Sequence, residues 1–464
     1  MNMTASRRLG EFVATLDWAS VPEEVLAHTK VCVLDTVACG LYGSTTKWAQ
    51  IAREAATATS GVGAAKAWGT GDALAPATAA LVNGTAVHSF ELDDLHPRSI
   101  LHPGATVLPS ALAAASLLDR AVSGRELLLA VTAGYEVGAR AGSALGGAHL
   151  LAGWHPTGTH GTLAAAAATS AILGIDGVAT AHALGIAGSM SSGLMASQYG
   201  AMVKRLHAGH AAQSGLMAGV LAARGFTGIE QLFESEYGGY LSTFASSSRP
   251  DVITAELGSR WETLSVGFKR YSACGSTHTS IDAIRDLRER YEFHADDVDS
   301  VEIESSTATY KHVGWPYNPD SVTTAQMNLP YAVAVTLVDG DAFVDQYAAE
   351  RIHDGALIQL AQRVTVRADP EIDQLGDSGR HNVRVTVHRR GSAPSLTATR
   401  QYATGSAQHP LRSEDVKAKY HRLSDGVLGS HGSLEVRRTI EAVEELKDVK
   451  TLSAMLGQGV AGSE

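Results

Sequence analysis

Between residues 88 and 104 the chain reads His-Ser-Phe-Glu-Leu-Asp-Asp-Leu-His-Pro-Arg-Ser-Ile-Leu-His-Pro-Gly, and an apolar run follows. Glu91, Asp93, Asp94, His96, Arg98 and His102 are crowded into this stretch, while its flanks are rich in Ala, Val, Leu and Gly. Burying an unpartnered charge costs several kcal/mol, so these side chains either lie on the surface or pair with one another along a pocket. Pro97, Pro103 and Gly104 mark a loop held at a defined angle. We read it as one wall of an active site; a capped helix end with surface charges is the competing reading.

Four further places carry polar groups that helix packing does not explain. Gly153-Trp-His155-Pro-Thr-Gly-Thr159-His160-Gly is a Gly/Thr loop opening onto an Ala-rich helix, whose free N–H groups favour a carboxylate. His155 and His160 are five apart and do not share a helical face, so they make a poor metal pair. Lys204 and Arg205 stand as a lone basic pair between apolar helices and suit carboxylate recognition, one as a point charge and one as a fork. Lys269, Arg270 and His278 fall where the chain changes character. Ser276 or Thr277 should cap a helix there, and the positive helix end would keep His278 neutral and able to accept a proton. Tyr331 follows Asn-Leu-Pro and is a core tyrosine unless it faces the seam.

The elements that must hold these groups are mostly helical. Ser20-Val-Pro-Glu23 looks like a capping box leading into a helix that ends near Gly40 or Gly43, and Ser123-Gly-Arg-Glu126 looks like a second one. Apolar, small-residue helices are expected over 75–88, 109–118, 127–144, 163–173, 186–195 and 210–223, and period-two alternation is absent through about residue 262. Alternation then marks strands over 298–305, 364–368, 383–388 and 395–402, with helices over 279–291 and 326–338 among them. Helices return from Ser413. The expected fold class is mainly α: a large all-helical domain, 1–265 completed by 405–464, with a smaller α+β lid inserted over 266–404.

The 464 residues are too many for one simple core. With 45% hydrophobic and 18% charged residues, the composition is that of an ordinary globular protein. A net charge of −11 argues against nucleic acid as a partner but leaves acidic small molecules open, because they respond to the local field of a pocket. Cys32, Cys39 and Cys274 are too few and too scattered for a disulfide framework, a structural zinc site or an iron–sulfur cluster. The opening residues lead into no signal-peptide-like apolar segment, and Gly, Thr and His break the Ala-rich runs before membrane-spanning length. A cytoplasmic protein with no membrane partner is expected.

The order of these segments resembles that of the MmgE/PrpD family, which includes 2-methylcitrate dehydratase, cis-aconitate decarboxylase and an iminodisuccinate epimerase. Asn83-Gly-x-Ala-x-His-Ser with Glu-Leu-Asp-Asp and His102-Pro-Gly is similar to its first signature. The loop at His155, Lys204-Arg205-Leu-His, Lys269 through His278, Tyr331-Ala-Val-Ala and Gly405-Ser-Ala-Gln-His-Pro410 resemble the rest, over essentially the whole length. The resemblance implies a site between helical body and lid, a homodimer and no cofactor. It places catalytic positions on Glu91, His102, His155, Lys204, His278 and Tyr331. Decarboxylase-like members carry Asp-Phe-Asp-Asp-Thr where this chain has Glu-Leu-Asp-Asp-Leu, and the loop to His102 is one residue longer, so the pocket wall is altered. The expected activity is a metal-free lyase, dehydratase or decarboxylase, on a small di- or tricarboxylate. Lys204, Arg205, Lys269, Arg270 and the helix start with Thr159 and His160 would hold carboxylates. His102 and His155 would move protons under the orientation of Glu91 or Asp93, and His278 would close from the lid. The alternatives are an epimerase of a dicarboxylate, a non-catalytic binding protein, and a metal hydrolase using His96, His102 and His155.

Overall fold

A computed structural model describes residues 3–459, with 377 and 378 as backbone alone. Helices make up 59% of the residues and strands 8%, so the protein is mainly α. The body is built from α1 (Ala5–Thr15), α2 (Glu23–Ser44), α3 (Lys47–Thr59), α4 (Pro76–Val87), α5 (Gly104–Ala115), α6 (Gly124–Leu151), α7 (Pro156–Leu173), α8 (Gly177–Met190), α9 (Val203–Ala222) and the short α10 (Tyr240–Phe244). A two-residue hairpin, β1 (Ala65–Lys66) with β2 (Ala73–Leu74), interrupts them, which the sequence did not foreshadow.

At the centre lies α7, buried from Pro156 through Ser170 and packed between α5, α6 and α9. Small residues allow this crowding. A Cβ on Gly209 of α9 would stand 2.1 Å from the Leu81 carbonyl of α4, so those helices meet backbone to backbone. Helix α2 is long and apolar enough to cross a membrane by composition, yet 72% of its most apolar stretch is buried in the protein, packed on α4 and α18 (Ser413–Glu441).

Several helix starts differ from the sequence expectation, each for a tertiary reason. The capping box at Ser123 forms, with Glu126 accepting the Ser123 N–H at 2.8 Å. The one at Ser20 does not: Ser20 Oγ donates to the Asp17 carbonyl, a local turn that competes with capping. Helix α5 begins at Gly104 rather than 109, because Asp94 Oδ1 accepts the Gly104 N–H at 3.0 Å and caps the helix from ten residues upstream. Pro109 therefore lies inside a fully buried helix. Helix α7 begins at Pro156, so His160 sits within its second turn rather than ahead of a helix start. Helix α9 begins at Val203 and takes Lys204 and Arg205 into its first turn.

The inserted segment carries α11 (His278–Tyr291), β3 (Val298–Ser305), α12 (Thr307–Val313), α13 (Val322–Gln326), α14 (Leu329–Asp339), α15 (Ala349–Ile352), α16 (Gly355–Ala361), β4 (Val364–Ala368), α17 (Pro370–Asp373), β5 (Val383–Arg389) and β6 (Leu396–Arg400). The four long strands stand in the order β4-β3-β5-β6, with β3–β4 parallel and the other pairs antiparallel. Ile303 faces Val366 on one side and Val385 on the other. Val301, Ile303, Val383, Val385 and Val387 point inward, the alternation read from the sequence, and α11 and α14 pack on the sheet. After β6, helix α18 packs along α2, and α19 (Lys450–Leu456) packs against α5. The seam is stitched by a Leu95–Gly267 bridge and by Phe268 N donating to the Gly405 carbonyl.

Candidate active site

The stretch between α4 and α5 is a buried loop. His88, Glu91, Asp93, Asp94 and His96 are each at most 1% exposed, so the surface reading fails and all must be partnered. Side chains from remote elements fix its path: Ser272 and Gln326 donate to the Phe90 carbonyl at 2.8 and 2.9 Å, and Lys419 of α18 donates to the Leu92 carbonyl at 2.6 Å. Glu91 and Ile100 both have φ of +55°, unusual for side-chain-bearing residues and typical of sites whose surroundings over-determine them.

Glu91 is the hub. It accepts from Lys204 and Arg205 of α9 and from Lys269 at the seam, the last at 3.1 Å. Arg205 also donates to Gln326 on the lid at 2.8 Å. Burial would raise the Glu91 pKa, but Lys204, Lys269 and Arg205 outweigh it and hold the carboxyl well below its usual range. Burial and its cationic neighbours pull Lys204 down despite Glu91, whereas Glu91 and Asp93 overcome burial and keep Lys269 above its ordinary value. Lys269 is thus the fixed charge and Lys204 the cation readier to release a proton.

Beside this hub runs a row of imidazoles. The His88 ring lies 4.9 Å from that of His102 and 5.4 Å from that of His155, and His207 is 5.1 Å beyond His155. His88 Nδ1 donates to Asp93 at 2.7 Å, leaving a buried Nε2 with no hydrogen-bond partner. His102 Nδ1 donates to the Asp94 carbonyl at 2.7 Å, which frees its Nε2. His155 and His207 share one hydrogen bond between their Nδ1 atoms at 3.0 Å, so one ring donates and the other accepts. From the lid, His278 Nε2 donates to the Ala273 carbonyl at 3.1 Å and leaves Nδ1 free. Burial pulls all of them toward the neutral form; His102 and His278 fall to about 3, with Lys269 pushing the same way. The arrangement is a set of neutral bases next to a positively charged carboxylate cradle.

The structure therefore brings Glu91, Asp93, His102, His155, Lys204, Arg205, Lys269 and His278 to one region and leaves four candidates elsewhere. Tyr331 packs in the lid core against Tyr317 and Tyr347, and its hydroxyl donates to the Gln346 carbonyl at 2.6 Å. Thr159 bonds His149 at 2.8 Å, and His160 bonds the Tyr240 hydroxyl at 2.8 Å, both inside the body, where α7 already runs as helix from Pro156. Arg270 lies by the Tyr271 ring at the surface side of the seam. His88 and His207 were not singled out from sequence. His88 ends α4, and His207 stands three residues after Lys204 on the same helix, a spacing that signals a shared face.

The alternative metal set is not assembled either: His96 is bonded to Ser99 and Glu262 rather than facing His102 and His155. Among the described residues, His88, Asp93 and His102 could offer three ligand atoms within 4.8 Å of one another. Their chemistry fits a cation poorly. Lys269 stands 4.0 Å from Asp93 Oδ1, the carboxylate oxygen that no hydrogen bond uses, so a second cation there would meet its charge.

Residues 7–251 match the MmgE/PrpD N-terminal domain and residues 271–447 its C-terminal domain. The chain belongs to the MmgE/PrpD family. It is 32% identical over 467 residues to a cis-aconitate decarboxylase of Aspergillus terreus, covering 95% of this chain and 94% of that one. It is 31% identical to the cis-aconitate decarboxylase-like protein oryM of Aspergillus oryzae (98% and 97% covered) and 30% identical to the human cis-aconitate decarboxylase (94% and 90% covered).

Proposed function

We propose that the protein is a lyase acting on a small tricarboxylate by proton transfer next to a carboxylate, and that its reaction is decarboxylation of an allylic acid of the cis-aconitate kind. One observation carries the reading: three buried cations, Lys204, Arg205 and Lys269, face only two ionised carboxylates, Glu91 and Asp93, beside imidazoles that burial keeps neutral. Such a site has charge to spare for a substrate anion and bases to move its protons. The near-full-length similarity to proteins named cis-aconitate decarboxylase supports the choice of substrate.

In that reaction the C–C bond to the departing carboxylate breaks and CO2 leaves. The freed electron pair becomes a new double bond, and the old double bond takes a proton at its far carbon. Lys204 is the proposed proton donor, since its ammonium is the one pulled down. His88, oriented by Asp93, is the proposed base for any C–H step, with His102, His155 and His278 completing the proton path. We extend the reading to a homodimer, supported by the exposed apolar side chains Val203 and Met217 of α9 and Leu194, Tyr199 and Met202 in the segment leading into it.

Incubation with cis-aconitate, citrate, methylcitrate, tartrate and iminodisuccinate in deuterated water, followed by NMR, tests the reaction. CO2 release with one solvent deuterium in the product is expected, and Lys204→Gln, which removes the proposed proton donor, should slow it by about 10²–10⁴-fold. Deuterium exchange with no bond lost would make the protein an epimerase instead. Binding without exchange would end the enzymatic reading.

A further inference from the structure

A cleft of about 260 Å³ opens along the seam between body and lid. Five of its lining side chains are cationic or imidazole: Arg98 from the loop after α4, Lys269 and His278 of the candidate site, and Arg380 and His381 ahead of β5. No carboxylate lines it among the described residues, in a chain whose net charge is −11. A concave surface of one sign focuses the local potential, so this opening draws anions.

Arg380 and His381 are held in place rather than draped over the surface. The Arg380 carbonyl accepts from Ser306 and Thr309 at 2.7 and 2.8 Å, which fixes the backbone from which both side chains extend. Arg380 is 9% exposed. His381 Nδ1 is buried with no hydrogen-bond partner, and a buried polar atom of that kind calls for an explanation. The ring is pulled toward neutrality by burial first and then by the nearby Arg380, His312 and His278. Lys269, which lines the cleft, donates to Glu91 at 3.1 Å, so the cleft reaches the hub.

We propose that Arg380 and His381 form a lid-borne subsite for the substrate carboxylate farthest from the reacting carbon. The subsite deepens the tricarboxylate reading above and rests on it. The Glu91 hub takes the carboxylates nearest the chemistry, and the lid reads the remaining one, so a shorter diacid would bind the hub without engaging the lid. An Arg-to-carboxylate pair of this kind is a charge-assisted hydrogen bond, among the stronger polar contacts a site can offer.

Isothermal titration with propane-1,2,3-tricarboxylate, which has no double bond to react, and with glutarate separates binding from turnover. The intact protein should bind the tricarboxylate more tightly. Arg380→Gln and His381→Asn should each weaken it about tenfold or more, by loss of a charge-assisted contact, and leave glutarate within twofold. Arg380→Lys, which keeps the charge, should recover part of the loss, and it serves as the informative variant if Arg380→Gln fails to fold. Steady-state rates with cis-aconitate should show the same change in KM with kcat retained. Equal tricarboxylate affinity in all variants, or equal loss for both acids, would overturn the subsite. A protein that binds the tricarboxylate with the expected variant pattern yet turns over no acid would overturn the lyase reading and leave the subsite standing.

Discussion

Burying an imidazole disfavours the charge that a second proton would bring and so lowers its pKa, and several histidines near this site show the effect. His102, His278 and His312 are held at about 3, chiefly by burial. An unfolded histidine takes up its proton near pH 6.5. Between there and pH 3 the unfolded chain binds more protons than the folded one, so stability falls as pH falls, by about 1.4 kcal/mol per pH unit for each group. Above pH 6.5 these groups add no pH dependence. Glu91 and Asp93 have lowered pKa values, so their contribution is complete above about pH 4.5 and is lost only below it. A fall in Tm between pH 6.5 and 5 is therefore the histidine signal, and His312→Asn should make it shallower by one group's share in a thermal melt; an unchanged Tm over that range would contradict the assignment. Glu91 makes the complementary case. Glu91→Gln removes the carboxylate that three buried cations share, and breaking such a cluster costs about 3–5 kcal/mol. Chemical denaturation should show that loss together with loss of activity.

At the scale of elements, the loop after α4 owes its shape to groups far along the chain. Lys419 on α18 is the clearest: it reaches the Leu92 carbonyl and Asp35 of α2, each at 2.6 Å. Lys419→Met would release both the loop and the buried Asp35, whose pKa burial already raises. We expect lower thermal stability and a reduced kcat, although Lys419 sits behind the loop rather than in the cradle. Hydrogen exchange is the discriminating measurement: amides of 88–103 should exchange faster in the variant, and unchanged protection there would remove Lys419 as a positioning residue. Helix starts follow the same logic. Local chemistry set α6 through Ser123 and Glu126, whereas Asp94 set α5 through space; the start of α7 at Pro156 separately took Thr159 and His160 into that helix.

For the whole molecule, the seam is where the residues of the proposed site gather. Lys269 leaves the body as the lid begins, His278 opens the first lid helix, and Gln326 reaches back to Arg205 and the Phe90 carbonyl. Hinge-like motion about this seam would open or close the cradle, so a bound tricarboxylate should protect the segment 265–272 from proteolysis. The exposed apolar side of α9 carries His207, the hydrogen-bond partner of His155, so subunit association there would lie against the site. Light scattering across a dilution series should give a mass near twice 48.5 kDa. A monomer at micromolar concentration that keeps full activity would remove the homodimer from the account.

Periodicity alone disclosed the helical body and the four lid strands, because alternation of buried side chains is imposed residue by residue along each element. The spacing of His, Lys and acidic residues likewise showed where charge had to be either partnered or exposed. Tertiary structure decided the rest. Which imidazole keeps a free nitrogen depends on carbonyls and carboxylates that fold beside it: Asp93 for His88, the Asp94 carbonyl for His102, the Ala273 carbonyl for His278. Tyr331 and His160 sit in segments that read like site residues, and each found its partner in a core instead. A linear pattern states which groups a residue could pair with; only packing in three dimensions brings one of them within hydrogen-bond reach and removes the others.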